Sequence, residues 1–285
     1  MMIFPTSYWD ELLAEDIPWG DETAELLGLE DQAGFVSVQA RAAGIVSGVM
    51  PAAELARYVG LVATPLVRDG ARVEAGTPVL TLEGSAGRLH AVYKTVQRLM
   101  ETCSGIANRT RAMVDATQSA NPLCQVALTR KHFPGAKRLS LYAVTTGGGI
   151  LHRSGLSESI LVFDAHRVFL TDPIEAVAQM VKRSPERRVA VEVDSPEDGL
   201  RYLDAGADII QCEKFEVARL AAFVTRVRAT YPERKVIAAG GINATNAASF
   251  AATGVDALVT SWPYWAQPWD VKMRFSTKPS ATPSP

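Results

Sequence analysis

Residues 208–241 read DIIQCEKFEVARLAAFVTRVRATYPERKVIAAGG, and this stretch decides the fold. Asp208–Gln211 and Val236–Ala239 are apolar runs of strand length, and Phe215–Tyr231 between them has the length and apolar spacing of a helix. Strand, helix and strand in that order predict two parallel strands joined by a crossover. Both strands end in residues suited to chemistry, Glu213-Lys214 after the first and Gly240-Gly241 after the second.

The same alternation extends on either side. Further short strands are expected at Val126–Leu128, Ile160–Phe163, Val189–Val193 and Ala257–Thr260, with helical segments such as Pro173–Val181 between most of them. Six or more such strands predict an α/β barrel, where chemistry collects at the C-terminal ends of the strands. Those ends read Thr129-Arg130-Lys131, Asp164-Ala165-His166, Glu192-Val193-Asp194, Glu213-Lys214, Gly240-Gly241-Ile242-Asn243 and Ser261. A charge where a strand meets solvent explains any one of these residues. It does not explain the whole ring.

Arg130, Lys131, Lys137, His152 and Arg153 form the positive side of this ring and imply an anionic ligand, because arginine forks onto carboxylate or phosphate. Gly240-Gly241, ahead of a helix expected to begin near Asn243, predicts a phosphate loop. Glu192 and Glu213 read either as a pair holding Mg²⁺ against a phosphate or as structural salt bridges to Lys131 or Lys214. His90 and His166 are more often hydrogen-bonded structural residues than ligands.

Toward the N-terminus the pattern changes. Phe35–Val49 and Gly60–Val67 suggest strands, with a short helix at Pro51–Tyr58. Asp69–Leu80 resembles the turns of biotinyl and lipoyl carrier domains, but no lysine lies between Gly34 and Gly87 to carry the prosthetic group, so that reading fails. Val92, Val96, Leu99, Cys103, Ile106, Thr110 and Met113 recur every three or four positions, which predicts a long amphipathic helix with a close-packing point at Ser104-Gly105. The expected division is a first domain over 1–110, a barrel over 111–275 and a Ser/Thr/Pro-rich disordered tail over 276–285.

Bulk composition excludes several classes of function. With 285 residues, 47% hydrophobic, 21% charged and a net charge of −2, the chain has no general attraction for nucleic acid or anionic lipid. The first sixteen residues lack the early positive charge and apolar run of a signal peptide, and no apolar stretch is long enough to cross a membrane. Cys103, Cys124 and Cys212 form no CxxC pair, so neither a disulfide framework nor a zinc site is indicated. A cytoplasmic enzyme acting on a small anionic substrate is the expectation.

Ser104-Gly105-Ile106-Ala107, Thr129-Arg130-Lys131, Pro134-Gly135, Tyr142-Ala143-Val144, Gly147-Gly148-Gly149 and His152-Arg153 follow the order and spacing of the quinolinate phosphoribosyltransferase family. Glu192, Gly240-Gly241-Ile242 and Gly254-Val255-Asp256 continue the match, and the chain resembles this family from about Leu12 to Val271. The resemblance implies the type II phosphoribosyltransferase fold, an N-terminal α/β sandwich followed by an open α/β barrel, in a homodimer with shared active sites. It implies a pentosyltransferase of the nicotinate-nucleotide diphosphorylase (carboxylating) kind, which moves phosphoribose from phosphoribosyl pyrophosphate to the pyridine nitrogen of quinolinate with loss of pyrophosphate and CO2. Lys131, Glu192 and Glu213 would be catalytic, the two glutamates through Mg²⁺. Arg130, Lys131, His152 and Arg153 would hold the acceptor, with Lys94, Thr129, Lys137 and His166 completing the substrate side. Ala239, Gly240, Gly241, Asn243 and Ser261 would take the phosphate.

The departures from that pattern fall on charged positions. Tyr93-Lys94 replaces the family's Glu-Arg, Leu141 its lysine, Phe163-Asp164-Ala165-His166 its Lys-Asp-Asn-His and Glu213-Lys214 its Asp-Asn. Ala239 and Ser261 replace a serine and a glycine. Phe163, Gln211, Lys214-Phe215, Ser261-Trp262-Pro263-Tyr264 and Asp270 resemble the ModD branch, whose members are encoded with molybdate-transport genes. Three functions stay open: a transferase or pyrophosphorylase with another anionic aromatic acceptor, tied to molybdenum utilisation; a working quinolinate enzyme making nicotinate mononucleotide for NAD; or a non-catalytic anion-binding accessory of molybdenum handling. Retention of both Glu192 and Glu213 favours an enzyme.

Overall fold

The computed structural model describes residues 3–277. The chain falls into two compact units. The first holds the residues up to Arg109, Phe133–Gly147 and those from Trp265 on, and the second holds Thr110–His132 and Gly148–Tyr264. Residues 133–147 and 265–275, expected in the barrel domain, therefore group with the first unit instead.

The contacts within that unit give the reason. Its main sheet is antiparallel in the order β13-β1-β5-β3, from β1 (Ala33–Ala40), β3 (Val62–Pro65), β5 (Pro78–Ser85) and β13 (Val271–Ser276). β13 pairs with β1 from Phe35↔Ser276 to Ala40↔Val271. Ser276, expected at the start of a disordered tail, closes this strand, and residues 278–285 of that expectation lie outside the described residues. A smaller pair joins β2 (Gly44–Ile45) to β4 (Arg72–Val73). α1 (Thr6–Ala14) and α2 (Glu22–Leu26) precede the sheet, and Asp21 caps α2 by accepting from the Ala24 amide at 3.1 Å. α3 (Val49–Tyr58) begins two residues before the expected Pro51, because the Asp69 carboxylate accepts from the Val49 and Met50 amides at 2.9 and 3.0 Å. The second Asp69 oxygen also accepts from the Tyr142 hydroxyl at 2.6 Å, which ties α5 (Lys137–Thr146) to the same unit.

α4 (Ala86–Ala120) is longer than its apolar spacing predicts. It presses Leu89, Val92, Val96, Met100 and Cys103 into the core. Polar groups fix it as well: Ser104 Oγ accepts from the Ser47 amide at 2.9 Å and donates to the Ser47 carbonyl at 3.0 Å. The Asn108 amide bonds both backbone groups of Ile45 at 2.7 Å. At Gly105 an added Cβ would stand 2.2 Å from the Gln267 carbonyl oxygen.

The second unit is a parallel sheet in the order β7-β6-β12-β11-β10-β9-β8, curled into an open half-barrel. Its strands are β6 (Gln125–Leu128), β7 (Ile150–Leu151), β8 (Ile160–Val162), β9 (Val189–Val193), β10 (Ile209–Glu213), β11 (Lys235–Ala239) and β12 (Ala257–Thr260). β7 and β8 stand at the two edges. Ala127, Ile209, Ile237, Ala239, Ala257 and Val259 pack together on one face. α7 (Pro173–Arg183), α8 (Pro196–Asp204) and α9 (Val217–Thr230) alternate with the strands, and α6 (Asp164–Arg167) and α10 (Ala247–Ala251) are single turns. A 3₁₀ turn, Trp262–Trp265, follows β12. Among the described residues no helix is long and apolar enough to cross a membrane.

Replacing glycine by alanine within an exposed helix usually stabilises it by about 1 kcal/mol. Gly105→Ala is expected to do the opposite, because its Cβ meets backbone that cannot rotate away. The expected loss is roughly 2–4 kcal/mol by denaturant unfolding, the range of severe overpacking. An unchanged unfolding midpoint would show that the helix and the 267 segment separate freely.

Candidate active site

Parallel register decides which side chains meet. β9 and β10 pair Glu192 opposite Gln211, and Glu213 lies two residues further along the same strand, hence on the same face. The Gln211 side-chain amide donates to the Glu192 carboxylate. Burial holds the Glu213 carboxyl above its ordinary pKa, and the neighbouring Glu192 adds to this, while Lys214 and Lys131 oppose it. The structural salt bridge entertained for the two glutamates does not form: among the described ion pairs none includes Glu192 or Glu213. α6 pins the end of β9, as Arg167 donates to the Glu192 carbonyl at 2.7 Å and pairs with Asp164.

The twin glycines bend the chain sharply after β11. Gly240 has φ +93° and Gly241 φ +71°, both in the left-handed region. A Cβ on Gly240 would lie 2.5 Å from Lys214 Cγ and 2.9 Å from Glu213 Oε1, so the glycine lets the second carboxylate approach the loop. Lys214 itself has φ +55°, and its amide donates to the Ala239 carbonyl at 2.8 Å. The helix expected near Asn243 starts only at Ala247 and runs five residues. Asn243 Oδ1 accepts from the Thr245 amide at 2.9 Å, and Asn246 Oδ1 accepts from the Asn243 amide at 2.8 Å, so these turns use up the residues that would have opened the helix. Any phosphate here meets loop amides rather than a helix terminus.

On the cationic side, the His152 amide continues the sheet by donating to the Leu128 carbonyl at 3.0 Å. Arg153 is buried, and its Nε donates to the Gly155 carbonyl at 3.3 Å. Burial, then the charge of Arg130, make its guanidinium less basic than usual, with Glu158 opposing. The exposed Glu158 carboxyl is held down to about 2, chiefly by the Gly155 amide. His152 is pushed toward its neutral form by burial and by Arg153, against a contact with Gln211 that favours the cation. His152 Nε2, Gln211 Oε1 and Ser159 Oγ are buried without a hydrogen-bond partner. Toward the N-terminal ends of the strands, Ala127, Ala190 and Ala257 leave a cavity of about 370 Å³ that also reaches His152, Arg153 and Ser159.

Thr129, Arg130, Lys131, His152, Arg153, Glu192, Glu213, Ala239, Gly240, Gly241, Asn243 and Ser261 thus all lie in the second unit. His166 is there too, but its Nδ1 accepts from the Phe163 amide at 3.3 Å and its ring meets that of Phe163 at 4.3 Å, a local cap. Lys94 and Lys137 belong to the first unit. Lys94 is exposed on α4, donating to Gln97 Oε1 at 3.1 Å. Leu141, where the resembled family has a lysine, is buried in α5. Sequence reasoning did not place Gln211 in the site. The available signal was a glutamine inside an otherwise apolar strand at an inward position.

The family described as quinolinate phosphoribosyl transferase matches this chain with its N-terminal domain over residues 21–104 and its C-terminal domain over 106–274. A protein of Pasteurella multocida that bears the name pyrophosphorylase ModD is 36% identical over 276 residues, covering 96% of this chain and 98% of that one. The nicotinate-nucleotide pyrophosphorylase [carboxylating] of Mycobacterium leprae is 35% identical over 192 residues, 67% of each chain. The crystal structure of NadC from Streptococcus pyogenes superposes with a TM-score of 0.88 over 97% of this chain and 99% of that one, at 24% identity.

The raised pKa of Glu213 has a definite sign in stability. A carboxyl that protonates more readily when folded favours the native state at low pH, and that contribution is lost as pH rises through the folded pKa. Glu213→Gln removes the loss. In EDTA its melting temperature relative to wild type is expected to climb between pH 4 and pH 7.5. An offset independent of pH would show that Glu213 carries no such burden.

Proposed function

Because the chain belongs to the quinolinate phosphoribosyltransferase family of pentosyltransferases, we propose that it moves phosphoribose from phosphoribosyl pyrophosphate to the ring nitrogen of an anionic aromatic acceptor. One observation carries this reading. Two like-charge pairs stand at the strand ends of one sheet, Arg130 near the buried Arg153 and Glu192 near Glu213. Each pair raises the energy of the empty site, and each is relieved by a ligand of opposite charge.

Arg130 and Arg153 would take the acceptor's carboxylate, with His152, held toward its neutral form by burial, beside them. Glu192 and Glu213 fit Mg²⁺, which prefers one or two carboxylates completed by substrate oxygens; among the described residues no group of three or more His, Cys, Asp or Glu forms a fuller cage. Bound there, Mg²⁺ would neutralise charge on the pyrophosphate. The nitrogen attacks C1′, the bond from C1′ to the pyrophosphate oxygen breaks, and pyrophosphate leaves with the electron pair. Lys131, close enough to Glu213 to lower its pKa, would face the departing anion, and the fixed carboxylates would stabilise positive charge building at the sugar. The Gly240-Gly241 loop would receive the 5′-phosphate.

The acceptor we propose is not quinolinate. Phe163 and Leu141 place an aromatic ring and a buried aliphatic chain where the family carries lysines, and Lys94 lacks arginine's two-point fork. Similarity to proteins named pyrophosphorylase ModD supports the pyrophosphorylase reading, and we propose that the activity serves molybdenum utilisation in the cytoplasm. We further propose a homodimer in which the exposed Lys94 completes the partner's site.

Incubation with phosphoribosyl pyrophosphate, Mg²⁺ and a panel of aromatic acids should release pyrophosphate with at least one acid and poorly with quinolinate. Arg130→Ala should weaken acceptor binding by roughly 10- to 100-fold, the effect of one hydrogen bond to a charged group, and Lys131→Ala should slow pyrophosphate release by a similar factor, both with unchanged melting temperature. Full activity in EDTA would remove the metal from the scheme, and release with no acid on a broad panel would leave an anion-binding accessory. Lys94→Ala and Arg130→Ala, each impaired alone, should regain partial activity when co-expressed, as one mixed site is intact. A monomer at micromolar concentration would refute the shared site.

A further inference from the structure

Thr260, the last residue of β12, is a buried threonine whose hydroxyl serves two loops at once. Its Oγ1 donates to the Ile242 carbonyl at 2.7 Å, directly after the twin glycines, and accepts from the Trp262 amide at 3.0 Å. The second bond starts the 3₁₀ turn, which the Tyr264 amide closes by donating to the Ser261 carbonyl at 3.1 Å. The Tyr264 hydroxyl then donates to the Thr129 carbonyl at 2.9 Å, directly before Arg130, while its ring meets His132 edge to face at 6.0 Å.

Thr129 is held on every polar group. Its amide donates to the Thr260 carbonyl at 3.0 Å, its carbonyl accepts from Tyr264, and its Oγ1 accepts from the Lys131 amide at 3.2 Å. Burial keeps the Tyr264 phenol protonated well beyond neutral pH, so the donor is present throughout the working range. β12 lies between β6 and β11, the strands that feed the two loops. The ladder sets only the strand spacing. Beyond the ladder, the Thr260 and Tyr264 hydroxyls tie both loops to the single turn that follows β12.

We propose that Thr260 and Tyr264 are positioning residues, coupling the Gly240-Gly241 loop to the Thr129–Lys131 loop so that a sugar phosphate at the first and a carboxylate at the second bind cooperatively. The inference rests on the site assignment proposed above. A shift that one anion imposes on the shared turn is already made when the second arrives, because both loops hang from that turn.

Calorimetry on the full chain separates this role from a structural one. The probes are ribose 5-phosphate and benzoate, an aromatic monocarboxylate with no ring nitrogen. In wild type, saturating ribose 5-phosphate should tighten benzoate binding by about 5- to 10-fold, at the lower end of measured allosteric couplings. Tyr264→Phe keeps the ring and loses the donor. It should bind each probe alone within twofold of wild type while the coupling falls below twofold. Thr260→Val should behave alike, and Thr260→Ser, which restores the hydroxyl, should recover the coupling. Melting temperatures identify any variant that fails to fold, and Tyr264→Phe then decides alone. Full coupling in Tyr264→Phe, or independent binding of the two probes in wild type, overturns the positioning role while leaving the site assignment standing. No binding of either probe in wild type overturns both.

Discussion

Two half-buried carboxylates on one face of neighbouring parallel strands weigh against folding unless a positive partner offsets them. Glu192 and Glu213 are in that position, because the β9–β10 register sets Glu192 opposite Gln211 with Glu213 on the same face. Much of the second unit answers this constraint. Gln211 gives a donor to Glu192, Lys131 and Lys214 offset Glu213 through space, and Gly240 clears room for its oxygen. The cations stay short of ion-pair distance, so the site holds its charge in reserve for a ligand instead of cancelling it internally.

The arginine side repeats the arrangement with the sign reversed. Arg153 is buried near Arg130, and the nearby Glu158 is occupied with the Gly155 amide. Separating the charges in this way costs folding stability and leaves a positive patch and a negative patch on one sheet. Active sites commonly accept that exchange.

The barrel was legible because its strands and helices differ in local period. Val236–Ala239 is apolar throughout and Val189–Val193 is apolar but for Glu192, as strands buried on both faces are, and α9 shows a helical stripe. Glu192, Glu213 and the twin glycines were legible for the same reason, since each directly follows such a strand or lies near its end. The parts that were not legible depend on distant partners. Nothing local in residues 137–146 says that Tyr142 bonds Asp69, and although Val271-Lys272-Met273-Arg274-Phe275 alternates as a strand does, nothing in it says that its partner is β1. The helix misplaced at Asn243 failed differently: asparagine favours helix starts and tight turns equally, and here Asn243 and Asn246 close a turn. Tyr264 was noticed as a branch marker, but only its bond to Thr129 reveals its reach.

The pairing of β1 with β13 bears on how the chain is made. Phe35 leaves the ribosome early, and its partner Ser276 is among the last described residues to emerge. Throughout synthesis, one side of β1 offers unpaired backbone groups, the kind of edge on which chains stick to one another. The second unit lies almost entirely between these two strands in sequence, so its parallel strands can assemble while that edge is still open. Loss of the last strand would then leave the half-barrel intact and yield a protein that aggregates through its first sheet.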